Sequence, residues 1–312
     1  LIGAAGYCGL MVWHGGLSGS APLKIAEKNH FNEIISNENL ISVLPENINF
    51  SQTVFSSMNF FVSICLLILV PFIFFILGEK IKKDKILQLE ISSVGQTSSK
   101  KPSKTFAEKI DTSNFFGMTI GGVLILLSIS KIISSSSFDF INPNFINLFL
   151  LGIAIFFHSS IKNFLSSINI AIKGVGGILI QFPLYFGIMG IITSSGLVNI
   201  FSDFFISIST EFTYPIYTMI SAGIVNVFVP SGGGQWAVQA PIILQTAYEI
   251  GVSFEKTIMA FVYGDQLTNM LQPFWALPLL GITGLKAKQI LPYSVLIMTG
   301  GFLIFLTGVI LF

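Results

Sequence analysis

Long apolar stretches alternate with short polar ones along this chain. Windows long enough to cross a bilayer lie at 1–23, 54–78, 115–134, 145–161, 174–193 and 289–311. Each predicts a membrane helix. A further window, 257–284, is interrupted by a polar cluster, and 213–250 is long enough for two half-helices. The stretch 195–209 mixes apolar and polar residues and predicts a helix lying along the interface. The pattern predicts an all-α membrane protein: a polytopic helical bundle with inverted repeats, broken helices and at least one re-entrant hairpin.

The sharpest break is Pro230-Ser231-Gly232-Gly233-Gly234-Gln235-Trp236, between the apolar stretches Pro215–Val229 and Ala237–Ile250. Glycine costs about 1 kcal/mol per helical position against alanine, so three in a row are expected to interrupt the helix. In hydrocarbon the freed backbone groups would be unpaired, so such a break belongs where it faces protein or a wet cavity. Broken helices at membrane depth point to a transporter's binding site.

Composition agrees with a membrane class. Half the residues are apolar, a tenth are charged, and phenylalanine appears 31 times. All sixteen basic residues are lysine, so an anionic ligand is held here without a guanidinium fork. Twelve of those lysines fall in loops 79–112, 162–173 and 285–288, which the positive-inside rule places in the cytoplasm. The topology then closes only if 213–250 enters and leaves on the outer face, leaving the C-terminus outside. Segment 79–112 reads as a flexible cytoplasmic linker between the end of a first membrane repeat (1–78) and a second repeat (113–312). A weak echo relates the two: Gly9 leads to Pro22 much as Gly264 leads to Pro278, as inverted repeats require. A chain that opens at Leu1 inside an apolar segment is expected to be the later part of a longer protein. Cys8 and Cys65 carry no ligand spacing and are expected to be packing residues.

Three polar islands carry the candidate chemistry. At the glycine run, Ser231, Gly232, Gly233, Gly234 and Gln235 offer a hydroxyl, an amide and backbone N–H groups beside a helix N-terminus, which attracts anions. In 257–284, Asp265 is an aspartate at membrane depth, a position that is costly and functional by default. It is the candidate ion-coupling residue, for H⁺ or Na⁺. Thr268 and Asn269 beside it are suited to substrate or cation, and a Na⁺ near Asp265 and Asn269 is the metal this pattern admits. In the first segment, His14, Gly15, Gly16 and Ser18 form a second glycine-broken island, where His14 is either a functional donor or a structural one. His158 falls near an interface, and His30 sits in an outer loop with no partner pattern. No nucleotide loop, zinc site or nucleophile elbow is present, so no catalytic residue and no cofactor is assigned.

The runs Val12–Leu23, Val229–Pro241 and Gly264–Pro278 together resemble the signatures of the bacterial short-chain fatty acid transporter family, which includes acetoacetate and butyrate permeases. The resemblance holds in the same order over essentially the whole chain. It implies a secondary transporter of the inner membrane, alternating access with elevator-like movement, and a short monocarboxylate as substrate, with its acyl tail near Trp236, Phe274 or Trp275. The expected partners are that carboxylate and the lipid bilayer, with no nucleic acid; a homo-oligomer is compatible. The residues themselves also admit a small-anion channel, a carrier of another small carboxylate, or an intramembrane enzyme using His14 and Asp265.

Overall fold

The computed structural model describes residues 1–35, 37–80, 105–134 and 143–312. Most of the expected linker 79–112 lies outside the described residues. Every regular element among those described is helical, as an all-α polytopic membrane protein requires. Among the described residues, three helices are long and apolar enough to span: α5 (Ser57–Lys80), α7 (Asn114–Ser134) and α15 (Ala287–Leu311). The number rises to five if two bent helix pairs each count as one span.

The chain divides into two compact units, Leu1–Gln88 with Gly177–Phe312, and Leu89–Gly176. In the second unit, α6 (Phe106–Thr112) opens on a capping box, with Thr105 and Glu108 each bonding the other's backbone. There α7 packs closely on α8 (Pro143–His158) through small residues: a Cβ on Gly121 would come within 2.5 Å of the Phe156 nitrogen. The chain then turns by 116° between α8 and Ile161–Ile172. Residues 162–173, expected as a loop, are instead the start of one 34-residue helix, α9 (Ile161–Ser194). At 1.5 Å per residue that is about 50 Å, more than a bilayer core accommodates upright. It is followed by α10 (Leu197–Ser207), the short helix expected at 195–209.

The first unit is built around α13 (Phe254–Thr268), in which every residue from Thr257 to Leu267 is buried. A helix enclosed on all sides can be apolar all round, and its few polar groups must find protein partners. Window 1–23 is not one span. It comprises α1 (Ile2–Tyr7), a 3₁₀ turn at Cys8–Met11, an irregular stretch, and α2 (Ser20–Ala26). The interruption has the same plan at the other broken window, where α13 runs into a 3₁₀ turn at Asn269–Leu271 and then α14 (Pro273–Thr283). The two 3₁₀ turns meet: the Tyr7 hydroxyl donates to the carbonyls of Asn269 and Gln272, and Asn269 reaches the Leu10 carbonyl at 3.5 Å. The segment after α2 folds into α3 (His30–Ile34) and α4 (Glu38–Val43) and buries Phe31, Ile35, Leu40 and Ile48.

Window 213–250 forms α11 (Tyr214–Phe228) and α12 (Gly232–Ile250). Their contacts run in opposite directions. Tyr214 donates to the Ile243 carbonyl at 2.7 Å, Gln239 reaches Ser221 at 3.5 Å, and Gln235 donates to the Ala222 carbonyl at 2.8 Å. The pair is therefore a helical hairpin. The expected interruption lies at Val229–Ser231, and the three glycines are helical, forming the first turn of α12. Ser231 explains the difference, because it caps that turn by accepting from the Gly234 N–H at 3.3 Å.

Candidate functional site

The three islands, far apart in sequence, converge around α13. On α13 itself, Gly264 lets α11 approach closely: a Cβ there would lie 2.0 Å from the Met219 carbonyl oxygen. That approach sets Asn226 of α11 against the break. Its amide nitrogen lies 2.6 Å from the Asp265 carbonyl, 3.0 Å from the Thr268 hydroxyl and 3.0 Å from the Asn269 side-chain oxygen. Thr268 in turn donates to the Gly223 carbonyl at 2.9 Å, and Gln272 donates to the Asn226 carbonyl. Thr268 closes α13 and Asn269 opens the 3₁₀ turn, so the helix tightens at this stretch.

The first island folds over this centre. Gly15 donates to the Gln266 side chain at 2.8 Å, and Asn59 of α5 donates to the Gly15 carbonyl at 2.9 Å. Tyr263 holds Asn59 at 3.1 Å. His14 is fully buried, stacked on Trp13, with its Nδ1 hydrogen-bonded to the Asp265 carboxylate. Its Nε2 accepts the Ala21 N–H, at the start of α2, at 3.0 Å. A backbone N–H only donates, so Nε2 is the bare nitrogen and the ring proton sits on Nδ1, directed at Asp265. Both ring nitrogens are thereby used. His14 orients Asp265 and has no nitrogen left for a ligand in this arrangement. Asp265 keeps its second carboxylate oxygen buried without a hydrogen-bond partner among the described residues.

The hairpin supplies the third side. A Cβ on Gly232 would lie 2.7 Å from the Trp13 ring and 2.9 Å from His14 Cε1, so only glycine allows this approach. Gly233 differs: it is exposed, and the nearest neighbour of an added Cβ, in Ser20, is 3.6 Å away. Gln235 turns inward, donating to Ala222 and to Gln239, with its own side-chain oxygen unpartnered among the described residues. Trp236 is buried edge-on to Phe261 at 5.3 Å and donates to His30 at 3.1 Å.

The structure thus brings together His14, Gly15, Gly232, Asp265, Thr268 and Asn269, with Ser231, Gly233, Gly234 and Gln235 on the same turn of α12. Gly16 is half-buried on the Trp13 carbonyl, and Ser18 is exposed and makes none of these bonds. Among the described residues, no group of three or more His, Cys, Asp or Glu side chains forms a metal cluster. Sequence reasoning missed Asn226, Asn59 and His30. Asn226 and Asn59 carry a readable signal, being lone amides within apolar helices. The Phe274 side chain lies outside the described residues.

The family model described as "Short chain fatty acid transporter" matches residues 1–312. A "Putative short-chain fatty acid transporter" of Haemophilus influenzae is 34% identical over 297 residues, covering 94% of this chain and 65% of that protein. A protein of the same description from Escherichia coli K12 is 32% identical over 317 residues, covering 100% of this chain and 69% of that protein. The chain therefore spans only about two thirds of the length of these relatives. No solved structure matches.

Proposed function

We propose that this chain, which belongs to the short-chain fatty acid transporter family, works in a secondary active carrier of the bacterial inner membrane. Its substrates are short monocarboxylates such as acetoacetate or butyrate, and a cation drives their uptake. The observation that carries this reading is the convergence of three islands: His14 touches both Asp265 and Gly232.

The carboxylate is held at the first turn of α12, whose unpaired N–H groups and dipole favour an anion without any arginine. It approaches from the open Gly233 side, opposite Ser20. Asp265 is the ion-coupling group, because a buried carboxylate with one bare oxygen is costly until a proton or Na⁺ meets it. His14 relays that event: a change at Asp265 moves the imidazole, and the imidazole packs on Gly232. A substrate site and an ion site linked by one ring have the physical basis for a coupling free energy.

The hairpin is re-entrant in this account. Helix α11 has 15 residues, about 22 Å, short of the roughly 30 Å hydrocarbon core. It enters and leaves on the outer face, with the lysine-rich segments in the cytoplasm and the C-terminus outside. The two interrupted helices meeting at their 3₁₀ turns support inverted repeats, with residues 1–78 closing the first and 113–312 forming the second.

Counterflow in proteoliposomes of the whole transporter tests the reading. Labelled butyrate and acetoacetate should exchange and a dicarboxylate should not, and a Na⁺ or pH gradient should drive accumulation. Conductance without saturable exchange would replace the carrier by a channel.

A further inference from the structure

We infer that His30, in the outer segment, is a positioning residue for the substrate turn and makes it sensitive to outside pH. The inference rests on the reading of α12's first turn as the carboxylate site, but its geometry is separate. His30 opens α3 and is 5% exposed. Its Nε2 lies 3.1 Å from the indole nitrogen of Trp236, the residue that follows the first turn of α12. An indole N–H only donates, so Nε2 must be bare and Nδ1 carries the proton in the neutral ring. That Nδ1 has no hydrogen-bond partner among the described residues, and lies 3.5 Å from the carboxylate of Glu33, itself 70% exposed.

The ring therefore has two incompatible arrangements. Neutral, it accepts from Trp236 and clamps the hairpin. Protonated, it sets N–H against N–H at Trp236, while its charge is drawn to Glu33. The other titratable and charged groups on the elements packed around α3 are Lys24 of α2, which pairs with Glu27 at 2.8 Å, and Tyr248 and Glu249 near the far end of α12. The nearest side chains along α12's buried face, Gln235 and Gln239, are uncharged. Release of the indole reaches the site directly. Trp236 stands edge-on to Phe261 at 5.3 Å, and Phe261 edge-on to His14 at 6.0 Å. Acidification outside thus loosens the turn that holds the carboxylate.

Two readouts test this in the whole transporter. The first needs no substrate: Trp236 emission, taken as the difference between wild type and Trp236→Phe, is followed between about pH 7.5 and pH 5.5. The emission should shift in wild type and stay constant in His30→Gln, whose side-chain oxygen accepts the indole proton but does not titrate. The second is butyrate exchange with equal pH on both sides. It should fall several-fold toward pH 5.5 in wild type, remain level in His30→Gln, and be low throughout in His30→Leu. A wild-type emission that does not move, or a His30→Gln protein that keeps the wild-type profiles, overturns the inference. An emission shift that His30→Gln abolishes, with no butyrate exchange at any pH, would instead count against the transport reading and leave the His30 clamp standing.

Discussion

The α7–α8 pair and the α11–α13 core show two ways of packing helices with almost no charge. In α7, polar side chains are satisfied within their own helix: Ser128 bonds the Leu124 carbonyl at 2.9 Å and Ser134 the Ser130 carbonyl at 2.9 Å. The pair is held by close approach at glycines. In the α11–α13 core the glycines also permit close approach, but the polar groups reach across the chain. His14 meets Asp265 from 251 positions away, and Tyr263 meets Asn59 from 204. The first arrangement is a scaffold whose loss costs stability. The second is a network in which moving one group disturbs several, which suits a site that must change state.

The largest expected effect separates the two at once. Asp265→Asn keeps the shape of the side chain and removes its charge. Uphill accumulation should collapse, with the inside-to-outside ratio falling to about one, while the protein still inserts and exchanges substrate. Gradient-driven uptake in the mutant equal to wild type would reduce the core to a second scaffold.

A matched pair of glycine substitutions comes next. Gly232→Ala forces a methyl against Trp13 and His14, and should weaken butyrate binding about tenfold, roughly 1.4 kcal/mol, as read by calorimetry. Gly121→Ala presses on the Phe156 backbone and should lower the melting temperature by several degrees, leaving affinity unchanged. If both act on stability alone, the contrast fails.

Smaller effects should follow from polar truncation. Asn226→Ala leaves the Asp265 carbonyl and the Asn269 side-chain oxygen without their amide donor, at a cost of about 1–3 kcal/mol. Ser128→Ala removes only an extra bond to a carbonyl of its own helix and should cost under about 1 kcal/mol. Denaturation of both variants in detergent measures the difference.

Much of the fold was legible because glycine, proline and polar residues interrupt apolar windows with few alternative meanings. The breaks near Gly15, Ser231 and Asn269 follow from that punctuation. Their exact form did not. The glycines at 232–234 are helical because a serine precedes them in capping position, and a propensity argument on glycine alone passes over the cap. Residues 162–173 join a long helix because lysine is a good helix former, so its presence does not by itself mark a loop. Within the site, Asp265 stood out by the cost of its burial. Its pairing with His14 is a tertiary fact with no local signature. The roles of Gly232 and Gly233, packed and open respectively, depend on where Trp13 and Ser20 arrive. His30 was passed over because a single histidine between short polar segments has no periodicity to mark it.

If the first turn of α12 binds the carboxylate, Gly233→Val should abolish that binding. Gly233 is helical and exposed, and a Cβ there meets Ser20 only at ordinary contact distance, so valine should fill the approach to the N–H groups with little effect on folding. Calorimetric titration of butyrate into purified, monodisperse whole transporter should show a wild-type melting temperature and no measurable binding. Wild-type affinity in that variant would contradict the account and leave the glycine turn as a packing device.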